Sequence, residues 1–189
     1  PAGEKLLEIS VGGQPRPGKV SGTTDIAFGP NGRIFVADGY GNARIIEYAS
    51  DGKKVREWGT PGTGPGQFRI PHSIIIDADN VIYVADRENG RIERFTLEGK
   101  LLGEWTGFGK PMTLAFTADG GILVATGYRN PPGKAPDWVA WVVKIDKATG
   151  KPLGYLEVGD DAHGMAALDG GILTGGETAK VSAAHWFRP

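Results

Sequence analysis

Cysteine is absent from the 189 residues, so the chain has neither disulfides nor thiolate metal ligands, and any metal must rest on histidine, carboxylate or weaker donors. Excess charge of either sign is also missing. The formal net charge is -1 and Lys and Arg are scattered, which removes the electrostatic footprint of a nucleic-acid binder. No apolar run approaches the roughly 20 residues that span a bilayer, so no membrane partner is expected. Pro1 opens a polar segment rather than a signal peptide. The expectation is a soluble protein, secreted or periplasmic if a leader has been removed, with the compartment itself left open. No Gly-rich loop stands between a strand and a helix to cradle phosphate.

What the chain does have is glycine, 31 residues of it, beside 40% hydrophobic and 23% charged residues. That balance fits one globular domain over 1–189, built from short strands and many glycine-dependent turns. The strands repeat. The segment from Thr23 to Gly59, TTDIAFGPNGRIFVADGYGNARIIEYASDGKKVREWG, matches Pro71 to Gly107, PHSIIIDADNVIYVADRENGRIERFTLEGKLLGEWTG, in order, spacing and turn chemistry. Within the second copy the β-rich runs are Ile74 to Ile76, Ile82 to Asp86, Arg91 to Phe95 and Leu101 to Trp105. A four-stranded unit recurring at this period reads as a propeller blade.

A third copy covers 111–159, with runs at Ile122 to Ala125, Val139 to Ile145 and Leu153 to Val158 and the insertion NPPGKAPDW between the first two. A fourth, at 162–189, has GGIL at Gly170 to Leu173 and a run near Val181 to Phe187, and then lacks its outer strand. The segment GEKLLEISVGG at 3–13 resembles GKLLGEWTG and is expected to supply that strand. Equivalent first-strand positions Thr24, His72, Met112 and His163 are 48, 40 and 51 residues apart, and the step from His163 around the termini to Thr24 is 50. The expected fold is therefore an all-β propeller of four blades, its ring closed by the N-terminal strand in the last blade. A two-sheet sandwich is the alternative that such strands and turns also permit.

In a blade the second strand returns antiparallel to the first, which sets its end beside the start of its neighbour. That places Thr24, His72, Met112 and His163 on an inner ring, surrounded by Tyr40, Arg87, Tyr128, Arg129 and Glu177. His72 and His163, in blades two and four, would then face each other across the axis. They are candidate ligands for zinc or another divalent metal if water, Glu177 or a substrate carboxylate adds donors. The same histidines could equally be hydrogen-bonded structural residues. Tyr40 is a candidate base if its proton is made more acidic, or else a packed loop tyrosine. Arg87 can clamp a carboxylate, or pair with Glu88 or Asp86. Arg44 and Arg91, two positions into each N-x-R-I turn, recur with the fold and are expected to bind neighbouring backbone or Asp38 and Asp86.

The phrases VADGYGN, GTGPGQFRIPHS and VADRENGRI resemble NHL-repeat propellers, and among these most resemble the peptidyl-α-hydroxyglycine α-amidating lyase family. The resemblance implies a zinc-containing propeller that cleaves a carbinolamide to a peptide amide and glyoxylate. It implies Tyr40 as the base, Arg87 as the arginine that binds substrate, and His72 and His163 as metal ligands. The family has six blades where this chain shows four repeats, and Ala162-His163-Gly164 stands where the family has Pro-His-Asp. Two functions follow as expectations. One is a metal-assisted lyase-like or hydrolase-like propeller acting on a small-molecule or peptide substrate with a carboxylate or carbonyl. The other is a non-catalytic propeller that binds a protein or peptide partner.

Overall fold

The computed structural model describes residues 3–12, 22–129, 138–159, 162–168, 171–177 and 182–187. All regular elements among them are strands apart from two short 3-10 turns. Two compact units divide the chain, Pro1–Val84 with Glu93–Gly103 and Ala85–Ile92 with Glu104–Pro189. No helix among the described residues is long and apolar enough to cross a membrane.

The first sheet joins β1 (Asp25–Phe28), β2 (Ile34–Asp38), β3 (Arg44–Tyr48) and β4 (Lys54–Trp58) as an antiparallel meander. A small parallel pair, β5 (Thr60–Pro61) with β6 (Gln67–Phe68), follows. The second sheet is β7 (Pro71–Ile76), β8 (Ile82–Asp86), β9 (Arg91–Phe95) and β10 (Leu101–Thr106). The third is β11 (Lys110–Phe116), β12 (Ile122–Arg129), β13 (Trp138–Ile145) and β14 (Pro152–Gly159). A three-stranded sheet, β15 (Gly164–Leu168), β16 (Gly171–Glu177) and β17 (Ser182–Phe187), completes the set. The repeats read from the sequence are thus four sheets, each strand hydrogen-bonded to the next in chain order, as in propeller blades.

Alternation decides which residues enter the core. In the ladder of β1, β2 and β3, Ala27 pairs with Phe35 and Ala37 with Ile45, and all four lie in the first unit's main cluster with Phe68, Ile74, Ile82, Val84 and Phe95. Phe35 and Phe95 are closed to solvent, and such burial contributes roughly 1.5–3 kcal/mol per side chain. The second unit has its own cluster of Leu123, Ala125, Ala140, Val142, Val158 and Ala162.

Two devices repeat from blade to blade. Asp38 Oδ2 accepts from Asn42 at 2.8 Å and from Arg44 Nε at 3.0 Å, and Arg44 Nη1 reaches Glu57 at 2.8 Å. In the next copy Asp86 Oδ2 accepts from Asn89 at 2.6 Å and from Arg91 Nε at 3.0 Å, and Arg91 Nη1 reaches Glu104 at 2.9 Å. Arg44 and Arg91 therefore hold Asp38 and Asp86, one of the two roles expected of them. The second device is a glycine under a tryptophan. A Cβ on Gly99 would lie 2.8 Å from the Trp58 ring, and one on Gly150 2.3 Å from the Trp105 ring, both at positive φ.

The expected ring-closing strand does not form. Residues 3–12 have no strand, and they lie on the first sheet instead. Ile9 and Val11 pack with Ile34 against Val36, Ile46 and Tyr48, and the Gly12 carbonyl accepts from Arg44 Nη2 at 3.0 Å. The reason is burial. Val36, Ile46 and Tyr48 form the sheet face opposite the main core, and that apolar face needs cover. Val181, at the start of the expected partner run, is outside the described residues, and β17 pairs with β16 alone among them.

Replacing Ile9 and Val11 together by serine should lower the unfolding free energy in urea by about 1–3 kcal/mol. Leu6, 88% exposed, should tolerate the same change within about 0.5 kcal/mol. An unchanged double variant would show that this segment does not cover the face.

Candidate functional site

The loop after β2 carries Tyr40, and β7 carries His72, one repeat further on. Their side chains meet. Tyr40 Oη lies 2.9 Å from His72 Nε2, a hydrogen bond between groups 32 residues apart, and the rings are edge-to-face with centroids 5.5 Å apart. His72 is 6% exposed and Tyr40 half-buried, so the phenol lies between solvent and a buried imidazole.

The backbone makes this contact possible at Gly39. A Cβ there would stand 2.3 Å from the Pro71 carbonyl oxygen and 2.9 Å from Thr24 Cγ2. The glycine lets the chain that delivers Tyr40 pass against the residue that precedes His72. The Tyr40 amide also donates to the Gly22 carbonyl at 3.2 Å. The DGY motif thus carries a steric requirement at its middle residue and a functional group at its last.

In the second unit Arg87 opens a 3-10 turn, Arg87–Asn89, and its Nε donates to Glu88 at 3.1 Å. Lys110 Nζ donates to the other Glu88 oxygen at 2.6 Å. Burial pushes the Glu88 carboxyl up, but the Lys110 hydrogen bond and the charges of Lys110 and Arg87 outweigh it and hold the group below the usual carboxylate range. Its stabilising share is therefore present at neutral pH and is lost as pH falls through that lowered titration. An anion arriving at Arg87 or Lys110 meets two cations that already share one carboxylate. Lys110 was not among the sequence candidates; its place opening the third repeat's first strand is the signal that could have drawn attention to it.

His163 belongs to the second unit and is exposed, and its backbone carbonyl accepts from Thr113 Oγ1 at 2.6 Å. The side chains of Tyr128, Arg129 and Glu177, expected on the outer ring, lie outside the described residues.

The donors described do not by themselves fit a resident divalent metal. The pair in the first unit offers one imidazole and one phenol, where catalytic zinc ordinarily takes three protein donors. In either tautomer His72 Nε2 is engaged, since it accepts the phenol proton or carries a proton that it donates. Among the described residues no group of three or more His, Cys, Asp or Glu stands together to hold an ion. What the pair can do unaided is pass a proton: the imidazole takes the phenol proton as the phenolic oxygen takes one from a bound molecule.

A family model described as a 6-bladed beta-propeller matches residues 23–107, the two clearest repeats. A probable peptidyl-alpha-hydroxyglycine alpha-amidating lyase of Caenorhabditis elegans is 34% identical over 159 residues, covering 79% of this chain and 45% of that protein. The chain resembles the amidating-lyase propellers. Peptidyl-glycine alpha-amidating monooxygenase of Mus musculus is 45% identical over 83 residues, 41% of this chain and 8% of that protein. NHL repeat-containing protein 3 of Homo sapiens is 39% identical over 99 residues, 49% of this chain and 28% of that protein. The chain spans less than half the length of these relatives. Among solved structures, Kuenenia stuttgartiensis hydrazine synthase superposes with a TM-score of 0.67 at 13% identity over 97% of this chain and 49% of that one, a likeness of fold alone. The fold is thus a propeller fold, and the sequence likeness is to NHL repeats and amidating lyases.

Gly39→Ala should cost about 1–3 kcal/mol in urea unfolding, because the added methyl meets backbone that cannot turn aside. Gly154→Ala, where nothing lies within 4 Å, should stay within about 0.5 kcal/mol. Equal costs at the two positions would contradict the close approach at Gly39.

Proposed function

We propose that this chain carries a lyase-like site that cleaves a carbinolamide, a molecule with an amide nitrogen and a hydroxyl on one carbon next to a carboxylate. The observation that carries the reading is the hydrogen bond of Tyr40 to the buried His72, within a sequence similar to amidating lyases. Tyr40 passes its proton to His72 and takes the substrate hydroxyl proton. The freed oxygen electrons form C=O, and the C–N bond breaks. The amide nitrogen then receives a proton from the pair, which returns to its starting state. Nothing is oxidised or reduced, and the products are an amide and glyoxylate. The sequence resemblance supports Arg87 as the proposed receptor for the substrate carboxylate.

Zinc or another divalent metal with His72 and His163 as ligands, the role the resemblance implies for them, would need further donors such as water or a substrate carboxylate. Metal content is therefore a separate question from the proton chemistry. A second reading, a non-catalytic propeller that binds a protein or peptide, is favoured by the similarity to NHL repeat-containing protein 3, whose identity of 39% is above the 34% and 36% to the amidating lyases of Caenorhabditis elegans and Drosophila melanogaster.

The protein should release glyoxylate from a peptidyl-α-hydroxyglycine, and Tyr40→Phe should lower kcat by about 10²- to 10⁴-fold while the fold persists. Elemental analysis of the same sample reports any bound metal. Glyoxylate release no faster than the buffer reaction, or an unchanged kcat in Tyr40→Phe, would reject the lyase reading in favour of the binding propeller.

A further inference from the structure

We infer that Thr24 and Asp25 are positioning residues that aim His72 at Tyr40, an inference that rests on Tyr40 and His72 being the reacting pair. The two stand side by side where β1 begins, and between them they hold the chain on both sides of His72. Before it, Thr24 Oγ1 lies 2.6 Å from the Pro71 carbonyl oxygen. After it, Asp25 Oδ2 accepts from Ser73 Oγ at 2.7 Å and from the Ile74 amide at 3.0 Å. Asp25 Oδ1 accepts the Ile26 amide at 2.8 Å, which fixes the carboxylate plane on its own strand.

Thr24 also refers to the strand that delivers Tyr40. Its amide donates to the Ala37 carbonyl at 2.8 Å, and its hydroxyl lies 3.0 Å from the same oxygen. Ala37 is three residues before Tyr40. One pair of adjacent side chains therefore sets the backbone of both partners in the Tyr40–His72 hydrogen bond against a common reference. Neither residue needs to touch substrate. A hydrogen bond is steep in angle and distance, so a β7 start released on either side lets the imidazole turn away from the phenol. The carboxylate of Asp25 accepts three donors, a load that an amide of the same shape does not carry.

The variants are Thr24→Val, which keeps the shape and removes the hydroxyl, Thr24→Ser, which restores it, and Asp25→Asn. Each is studied at a temperature where circular dichroism shows it folded. Nitrogen-15 spectra of the histidine side chains are recorded first, since they report the Nε2 environment of His72 whether or not turnover occurs. In Thr24→Val and Asp25→Asn the His72 Nε2 resonance should move to that of Tyr40→Phe, with Thr24→Ser unchanged from wild type. With peptidyl-α-hydroxyglycine as the probe, the first two should lose kcat by about 10²-fold with KM little changed, the size expected for a misplaced catalytic group. Wild-type His72 resonances in both Thr24→Val and Asp25→Asn would overturn the inference. Shifted resonances in a protein with no turnover would uphold the positioning and reject the lyase reading.

Discussion

The strand Ile34–Asp38 has Phe35 and Ala37 on one face, in the main core of the first unit, and Val36 on the other, in a separate apolar cluster. A sheet with two apolar faces cannot leave either to water without losing about 25 cal/mol for each Å² exposed. That constraint accounts for the packed cluster on one side and for the N-terminal residues Ile9 and Val11 lying over the other. It also brings the end of one repeat against the start of the next. The Gly39 peptide meets Pro71 because Ala27, Phe35, Ala37 and Ile74 must share one core.

The site is a by-product of this packing that chemistry can use. The first sheet presents its loop after the second strand beside the first strand of the next sheet, and those two places hold a phenol and an imidazole. Burial of His72 keeps its ring nitrogen from exchanging the phenol for water, so the hydrogen bond is worth more than the same contact at the surface. The cationic pair of Arg87 and Lys110 on Glu88 shows the same economy of position in the second unit, at the turn after one second strand and the start of the next first strand.

Much of this was legible because repetition carries it. The strand runs of blade two agree with β8 and β9 residue for residue, and the pairing of Arg44 with Asp38 and Arg91 with Asp86 is one of the two roles that their recurrence in the repeat allowed. Repeat geometry set Tyr40 beside Thr24 and Arg87 beside His72, and the resemblance of DGY and PHS to a family singled out Tyr40 and His72, but the hydrogen bond between them across two repeats was not read from the sequence. Thr24 was seen as a ring position, but the roles of Thr24, Asp25 and Gly39 were not, since a bond to a backbone carbonyl or a missing methyl leaves no pattern in side-chain types. The N-terminal strand was misread for a definable reason. The alternating residues of LLEISV suit a strand edge and an apolar face equally well, and the uncovered face of Val36, Ile46 and Tyr48 is a tertiary fact.

The site depends on the interaction of Tyr40 with His72, and a double-mutant cycle on stability measures it directly. Tyr40→Phe, His72→Leu and the combined variant, compared by urea unfolding, should show a coupling energy of about 0.5–1.5 kcal/mol. Single-variant effects that add to within about 0.3 kcal/mol would mean that the two side chains do not share a hydrogen bond, and would contradict the site at its centre.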